Sequence, residues 1–392
     1  MDNIFEKEKK YFLPTYNRIP IDLSHGKGVY LFAKNGDKYL DFFSGLGVNA
    51  LGYAHPAIVE AVTKQITLFG HLSNNYITDI QVEFAELLLK HSQMDKLFLT
   101  NSGTESIEGA IKLIRKKQGR EKKIFALTNS FHGRTYGAMS LTARSKYRDG
   151  FQPLLPGIEF INFNDVEDLT NKISEDTAGI FVEFIQGEGG INLISQQFAD
   201  QLKELKNKFD FALVSDCIQC GIGRTGMPFS HNYLNMEPDI ITSAKAIGGG
   251  LPLGAILTSK EYSNIFDVGK HGTTFGGNSV SCAAGKVVLE EVFEKGLMKK
   301  VASNGKYLFN RLLEIQNRLP EKIKEVRGRG YMVGVELSID SSHFVKEMRE
   351  RKVLANVTNV NVVRLLPPLI VELEHIDYFV EKFEEVIKLN FK

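Results

Sequence analysis

Ile240-Ile241-Thr242-Ser243-Ala244-Lys245-Ala246-Ile247-Gly248-Gly249-Gly250 is the stretch on which the reading of the chain turns. Its short apolar run reads as the end of a buried strand. Small polar residues, one lysine and three glycines follow. An ammonium at such a place is poorly solvated, so its pKa is expected to fall. A neutral amine is a nucleophile able to condense with an aldehyde cofactor. The glycines let backbone approach something bulky. Taken alone, the same residues more readily describe a lysine that reaches solvent at a strand terminus. The other strand ends have to decide between the two.

Working outward, short apolar runs recur at Leu97-Phe98-Leu99, Ile124–Leu127, Ile180–Val182, Phe211–Val214, Ile240–Ile241 and Ala255–Leu257. Amphipathic or polar helical stretches lie between several of them. Such alternation from about 80 to 290 predicts an α/β fold, a mostly parallel sheet with helices on both faces. Ligands of such sheets sit at the carboxyl ends of the strands.

Before that region, residues 1–27 read as irregular, because Pro14 and Pro20 interrupt any long element. Gly28–Phe32 and Lys38–Phe42 flank Asn35-Gly36-Asp37 and predict a β-hairpin. A helix is expected near 56–69, with Pro56 at its start. After it, a long helical stretch near 285–317 precedes Gly328, Gly330 and Gly334 among strand-like residues. A strand at Val362–Leu366 and a terminal helix follow. In that helix Ile376, Phe379, Val380, Phe383 and Ile387 form a core-facing stripe. This part reads as a separate, smaller α+β domain.

Composition narrows the function. The 392 residues are 43% hydrophobic and 24% charged with a net charge of +1, so no broad field draws in nucleic acid or an anionic membrane. The opening MDNIFEKEKK lacks the apolar core of a secretory signal. No apolar run reaches membrane-spanning length. Three cysteines imply no disulfide framework and fit a reducing cytoplasm.

The strand ends carry polar, glycine-rich segments. Thr100-Asn101-Ser102-Gly103-Thr104-Glu105 combines a capping box with a helix N-terminus, which reads either as an anion site or as an ordinary capped helix. Asn129-Ser130-Phe131-His132-Gly133-Arg134-Thr135 offers an aromatic face and a guanidinium fork for a carboxylate. Glu183-Phe184-Ile185-Gln186-Gly187-Glu188 holds two carboxylates, but no aromatic sugar platform supports a glycosidase pair and the chain has no tryptophan. Asp216 follows the Phe211–Val214 run and is placed to hold a proton on a cofactor ring nitrogen. Gly221, Gly223 and Gly226 satisfy the dinucleotide fingerprint formally, yet Ser215–Cys220 separate them from the strand and Pro228 follows in place of a helix. Cys217 and Cys220 have no second pair or histidine at zinc spacing, so no metal site is expected. Lys270–Asn278 is a polar loop before a helix and offers a further phosphate contact. A phosphate site, a stacking face, a pyridinium partner and a Schiff-base lysine are what pyridoxal phosphate chemistry requires.

These segments resemble the class III (ω-amino acid) pyridoxal phosphate aminotransferases of fold type I along nearly the whole chain. The matching stretches are Asn101-Ser-Gly-Thr-Glu, Phe131-His-Gly-Arg-Thr, Glu183-Phe-Ile-Gln-Gly-Glu-Gly-Gly, Gly221-Ile-Gly-Arg-Thr-Gly, Pro238-Asp-Ile with Lys245, and Thr273-Thr-Phe-Gly-Gly-Asn. The resemblance implies a large domain, 48–290, with a seven-stranded-type sheet sandwiched by helices. It also implies a small α+β domain, 291–392, which the segment 1–47 joins. Lys245 would carry the cofactor and move the proton at the reacting carbon. Asp216 would pair with the pyridinium nitrogen, Gln219 would bond the ring hydroxyl and Phe131 would stack on the ring. Ser102, Gly103 and Thr104 would cradle the phosphate. Thr274 would reach the phosphate of a neighbouring subunit, which implies a homodimer with shared sites. Arg134, helped by Tyr16, would bind the distant carboxylate, while Arg364 and a switching Glu188 would serve the carboxylate on the reacting carbon.

Gly47-Val-Asn-Ala-Leu-Gly-Tyr-Ala-His-Pro and His71-Leu-Ser-Asn are most similar to the members that act on acetylornithine with 2-oxoglutarate in arginine biosynthesis. Ornithine, succinylornithine, 4-aminobutyrate and acyl-lysine donors share the fold. A glutamate-1-semialdehyde mutase would not need both Arg134 and Arg364. A nicotinamide dehydrogenase on Gly221–Gly226 and a non-catalytic regulator are the readings from other classes. Two positions depart from the family pattern. Cys217 stands where Glu usually follows the strand-end aspartate, and Phe184 where Pro usually follows the first glutamate of the turn.

Overall fold

A computed structural model describes residues 4–389; the chain ends 1–3 and 390–392 of the segments assigned above lie outside it. At its centre is a seven-stranded sheet. In space the strands run Lys96–Thr100, Gly254–Thr258, Ile240–Ser243, Ala212–Asp216, Thr177–Val182, Lys123–Leu127, Ile158–Ile161. All neighbouring pairs are parallel except the two made by Gly254–Thr258, the one reversed strand. Six of these strands coincide with the apolar runs. The seventh, Ile158–Ile161, is an edge strand with Glu159 in its middle. Its first three residues are only partly buried and it has no continuous apolar run, which is why it does not stand out in the sequence.

The two central strands Thr177–Val182 and Ala212–Asp216 are buried at every position. Successive residues feed opposite faces: Phe181 and Val214 join one hydrophobic cluster, Ile180, Val182 and Leu213 the other. This is the period-two alternation of a sheet covered on both sides. Among the pairs, Asp216 is in register with Thr242. The ends of these strands therefore share one edge with Lys245, just beyond Ser243.

Beyond the central sheet, Tyr30–Ala33 and Lys38–Asp41 form the expected hairpin, with Tyr30 opposite Leu40. The expectation that 1–27 is irregular is corrected. Ile4–Tyr11 is a helix and Leu23–Lys27 is a third strand of this sheet. Pro14 and Pro20 only bound the two elements. Val353–Leu354 adds to the same sheet in parallel, tying the N-terminal segment to the C-terminal part. Ile323–Arg329, Met332–Leu337, Val362–Leu365 and Asn356–Thr358 make a further four-stranded sheet. The terminal helix Leu373–Lys388 buries its whole predicted stripe.

The long helical stretch near 285–317 is not continuous. Ser279–Leu289 passes through a π turn, Glu290–Glu294, and breaks at Gly296, where φ is 84°. Leu297–Arg318 then packs on the strand Ile323–Arg329. A Cβ at Gly305 would stand 2.5 Å from the Cα of Gly330. Alanine in a helix gains about 1 kcal/mol over glycine, but this overlap forces backbone apart at about 1–3 kcal/mol. Gly305→Ala is therefore expected to lower the thermal midpoint. A raised midpoint in calorimetry would contradict the close approach.

Candidate active site

A cavity of about 600 Å³ opens at the carboxyl edge of the central sheet. The fully buried strand Ile240–Ser243 delivers Lys245 to its wall. Lys245 adopts φ 53°, a left-handed conformation rare for a residue with a Cβ. Such strain persists only where the surroundings enforce it. Burial and then the neighbouring Arg364 guanidinium lower the Lys245 pKa, against the opposing pull of Glu188, Asp216 and Glu183. The fall expected from the sequence is thus present. The glycines after it have a different use from the expected one. A Cβ at Gly249 would meet Ile58 at 2.9 Å and Val288 at 3.0 Å. They seat the turn against two helices, and only Gly250 lines the cavity.

Asp216, 4% exposed, ends the neighbouring strand. Its Oδ1 accepts from the Ile218 amide at 3.0 Å and its Oδ2 lies 2.6 Å from His132 Nδ1. Burial works against an imidazolium at His132, but the hydrogen bond and charge of Asp216 outweigh it and raise the histidine's pKa. Glu183, also buried, accepts from the amides of Phe131 at 2.9 Å and Gly187 at 3.1 Å. Burial pushes its pKa up to about 7, with His132 pulling it down and Asp216 adding to the rise. Glu183 thus holds the Phe131 loop and the Glu188 turn in place and is not free as one half of a hydrolytic carboxylate pair. Sequence reading gave neither His132 nor Glu183 a role. Both stood inside quoted segments, but only folding shows that their partner groups are within reach.

Ser102 caps the helix Gly103–Gln118, its side chain accepting from the Glu105 amide. Glu105 Oε2 accepts from the Asn101 amide at 2.9 Å. The first amides of a helix have no intrahelical acceptors, so Gly103 and Thr104 present donors to the cavity. A Cβ at Gly103 would lie 2.7 Å from Ile218 Cδ1, and one at Gly133 would lie 2.4 Å from Thr104 Oγ1. Thr104 Oγ1 meets Thr135 Oγ1 at 2.8 Å, and Thr135 donates to Glu108 at 2.5 Å. Phe131 lines the same cavity, and its ring centroid is 5.5 Å from that of Tyr147.

Glu188 Oε1 pairs with Arg364 Nη1, and Arg364 is 2% exposed. Burial raises the Glu188 pKa, but Arg364 more than offsets it and holds the carboxyl below its usual range. Arg364 also donates to Gln219 Oε1 at 3.3 Å and to Asn356 Oδ1 at 2.8 Å. Gly187 permits this: a Cβ there would fall 2.2 Å from Gln219 Oε1. Arg134 stands at the exposed mouth with its guanidinium 4.0 Å from the Tyr147 ring centroid. Tyr16, also exposed, lines the same opening. Arg364 reaches the cavity through Glu188 and Gln219. Thr274 lies apart from the cavity, on the exposed loop before the helix Ser279–Leu289.

The alternative motifs resolve into packing. Gly221–Gly226 opens no helix, and a Cβ at Gly223 would meet Val292 at 2.5 Å and one at Gly226 would meet Ala302 at 2.9 Å. Arg224 within it is wholly buried and grips the Pro367 carbonyl, close after Arg364. Cys217 and Cys220 are buried behind the cavity, with Cys217 Sγ 3.2 Å from Ser215 Oγ and Cys220 Sγ 3.0 Å from Ser230 Oγ. No group of metal-ligating side chains suited to a metal ion occurs among the described residues.

An amine of lowered pKa, a buried carboxylate, an aromatic ring and a helix N-terminal cradle thus face one cavity at the strand ends of a parallel sheet. That donor set fits pyridoxal 5′-phosphate: an anion cradle, a ring face, an acceptor for a ring N–H and a covalent anchor. The fold and site define a pyridoxal-phosphate-dependent transferase. The profile of aminotransferase class-III matches residues 11–387, and the chain belongs to that family of PLP-dependent aminotransferases. It is 43% identical over 393 residues to an acetylornithine aminotransferase of Methanocaldococcus jannaschii, covering 98% of each chain. It superposes on the ornithine aminotransferase of Toxoplasma gondii with a TM-score of 0.94 at 28% identity, covering 98% of this chain and 94% of that one. The acetylornithine aminotransferase of Elizabethkingia anophelis matches with a TM-score of 0.88 at 30% identity, covering 98% of each.

Proposed function

We propose that this chain moves the terminal amino group of N2-acetyl-L-ornithine to 2-oxoglutarate, giving N-acetylglutamate 5-semialdehyde and L-glutamate, in arginine biosynthesis. The proposal includes a cytoplasmic homodimer in which Thr274 completes the phosphate site of the neighbouring subunit. No helix among the described residues is long and apolar enough to cross a membrane. The identity to the acetylornithine relatives supports the substrate, and one observation carries the mechanism. The deeper guanidinium, Arg364, is neutralised by Glu188, while among the described residues no carboxylate pairs with Arg134 at the mouth. In this arrangement the site presents one cation to a donor whose reacting carbon bears no carboxylate. Moving Glu188 aside uncovers a second cation for the carboxylate on the reacting carbon of glutamate.

Pyridoxal 5′-phosphate, when bound, supplies an aldehyde for amine exchange and a ring that draws electrons from the reacting carbon. The residues here would hold and serve it. Gly103, Thr104 and Ser102 receive its phosphate, Phe131 covers its ring, and Gln219 bonds its hydroxyl. Asp216 keeps a proton on its ring nitrogen, itself held by His132. Lys245 Nζ would anchor it and, once the incoming substrate amine has displaced it, would as a free amine of lowered pKa take the proton from the reacting carbon and return it. Arg134 binds the distant carboxylate in both half-reactions, with Tyr16 beside it.

A donor panel with 2-oxoglutarate tests this. Acetylation removes the α-ammonium that free ornithine would bring next to Arg134. That repulsion is worth about 1.4–2.8 kcal/mol, so kcat/KM is expected to favour acetylornithine over ornithine by about 10–100-fold. The superposition on an ornithine aminotransferase favours ornithine as the second reading. If free ornithine, succinylornithine, 4-aminobutyrate or an acyl-lysine is turned over faster than acetylornithine, the donor assignment passes to that compound.

A further inference from the structure

Glu188 sits on a turn whose backbone is tied from every side. The Gly187 amide donates to Glu183 at 3.1 Å, Thr358 Oγ1 donates to the Glu188 carbonyl at 2.9 Å, and Asn192 Nδ2 donates to the Gly189 carbonyl at 3.0 Å. Arg327 Nε and Nη2 close on the Gly190 carbonyl at 3.0 and 2.8 Å. Only the Glu188 side chain is left to move. That side chain is 21% exposed, so a carboxylate leaving Arg364 without a new cation would be costly. Burial raises the Glu188 pKa; Arg364 first, and then Lys245 and Arg144, lower it. Lys245 is engaged in the chemistry, which leaves Arg144.

Arg144 Nη2 donates to Asn359 Oδ1 at 2.8 Å, so its partner is a neutral amide and not a carboxylate. Asn359 lies against the same turn: its Nδ2 is 3.2 Å from where a Cβ on Gly190 would stand. Thr358, which ties down the Glu188 carbonyl, directly precedes Asn359 in the chain. Asn359 therefore tethers a guanidinium at the flank of a fixed turn that carries a swinging carboxylate.

We propose that Arg144 is a positioning residue that receives the Glu188 carboxylate when it leaves Arg364, so that the half-reaction of the 2-oxo dicarboxylate depends on it and the half-reaction of the acylated donor does not. This rests on the Glu188–Arg364 switch proposed above. The two half-reactions are to be measured separately on the holoenzyme, together with calorimetric binding of glutarate, a dicarboxylate with no reacting group. Arg144→Gln is expected to raise the KM for 2-oxoglutarate and the Kd for glutarate about five- to tenfold. The acetylornithine KM and both kcat values should stay within twofold. Arg144→Lys should recover most of the loss. In a Glu188→Ala background, Arg144→Gln should change nothing further, since the group it serves is gone. Equal losses in both half-reactions, or a full effect of Arg144→Gln on top of Glu188→Ala, overturn the role of Arg144 alone. If Glu188→Ala leaves the relative KM values for the two substrates unchanged, the switch itself falls, and the role of Arg144 with it.

Discussion

Turnover is expected to fall by about 10⁴-fold or more in Lys245→Ala, the largest effect of any single substitution. A positioned general base is worth about 10²–10⁴-fold, and alanine removes the covalent anchor as well. The structure gives the reason that no neighbour substitutes. Lys245 is the amine at the cavity wall, held at φ 53° by the end of a fully buried strand. Its lowered pKa comes from burial and from Arg364, which shifts the balance toward the neutral base. Borohydride should no longer fix cofactor to the chain. A small primary amine added to the solution should restore part of the rate, because the cavity of about 600 Å³ can admit it. Turnover within tenfold of the parent enzyme would remove Lys245 from the chemistry.

Asp216→Asn is expected to cost about 10²–10³-fold, the range for losing a preorganised electrostatic partner. The isosteric amide keeps the packing but deletes a charge that is 4% exposed and 2.6 Å from His132 Nδ1. A second readout follows from the sign of the His132 shift. Burial alone depresses a histidine; Asp216 first, and then Glu183, raise this one above its ordinary value of 6.5. With asparagine at 216, the imidazole is expected to titrate lower than in the parent enzyme, read from its ring-proton shifts in NMR. Cofactor retention on dialysis should weaken in parallel. A variant with full turnover and an unmoved His132 titration would show that Asp216 is not the ring's partner.

The parts of the molecule legible in the sequence are those set by local pattern. Apolar runs such as Ile180–Val182 mark strands because both faces of the central sheet are covered. The Asn35-Gly36 turn marks its hairpin, and Ser102 marks a helix start, since turns and caps act over a few residues. The helix Ile4–Tyr11, with no buried residue, carries no stripe toward this core, so its pattern did not announce it. Gly221–Gly226 and Gly248–Gly250 show the opposite failure. Their glycines mark close approach without saying to what, and the atoms that decide are Val292, Ala302, Ile58 and Val288, remote in sequence.

By itself, then, the sequence determined the α/β frame and which residues end its strands, because backbone propensity and burial periodicity are local. The tertiary structure alone decided what those residues face. It placed Arg364 against Glu188, 176 positions apart, and His132 against Asp216, 84 apart. It also set Arg144 beside Asn359, 215 apart. Electrostatic coupling depends on distance through space, and only the closing of the sheet and its flanking units brings those charges together around Lys245.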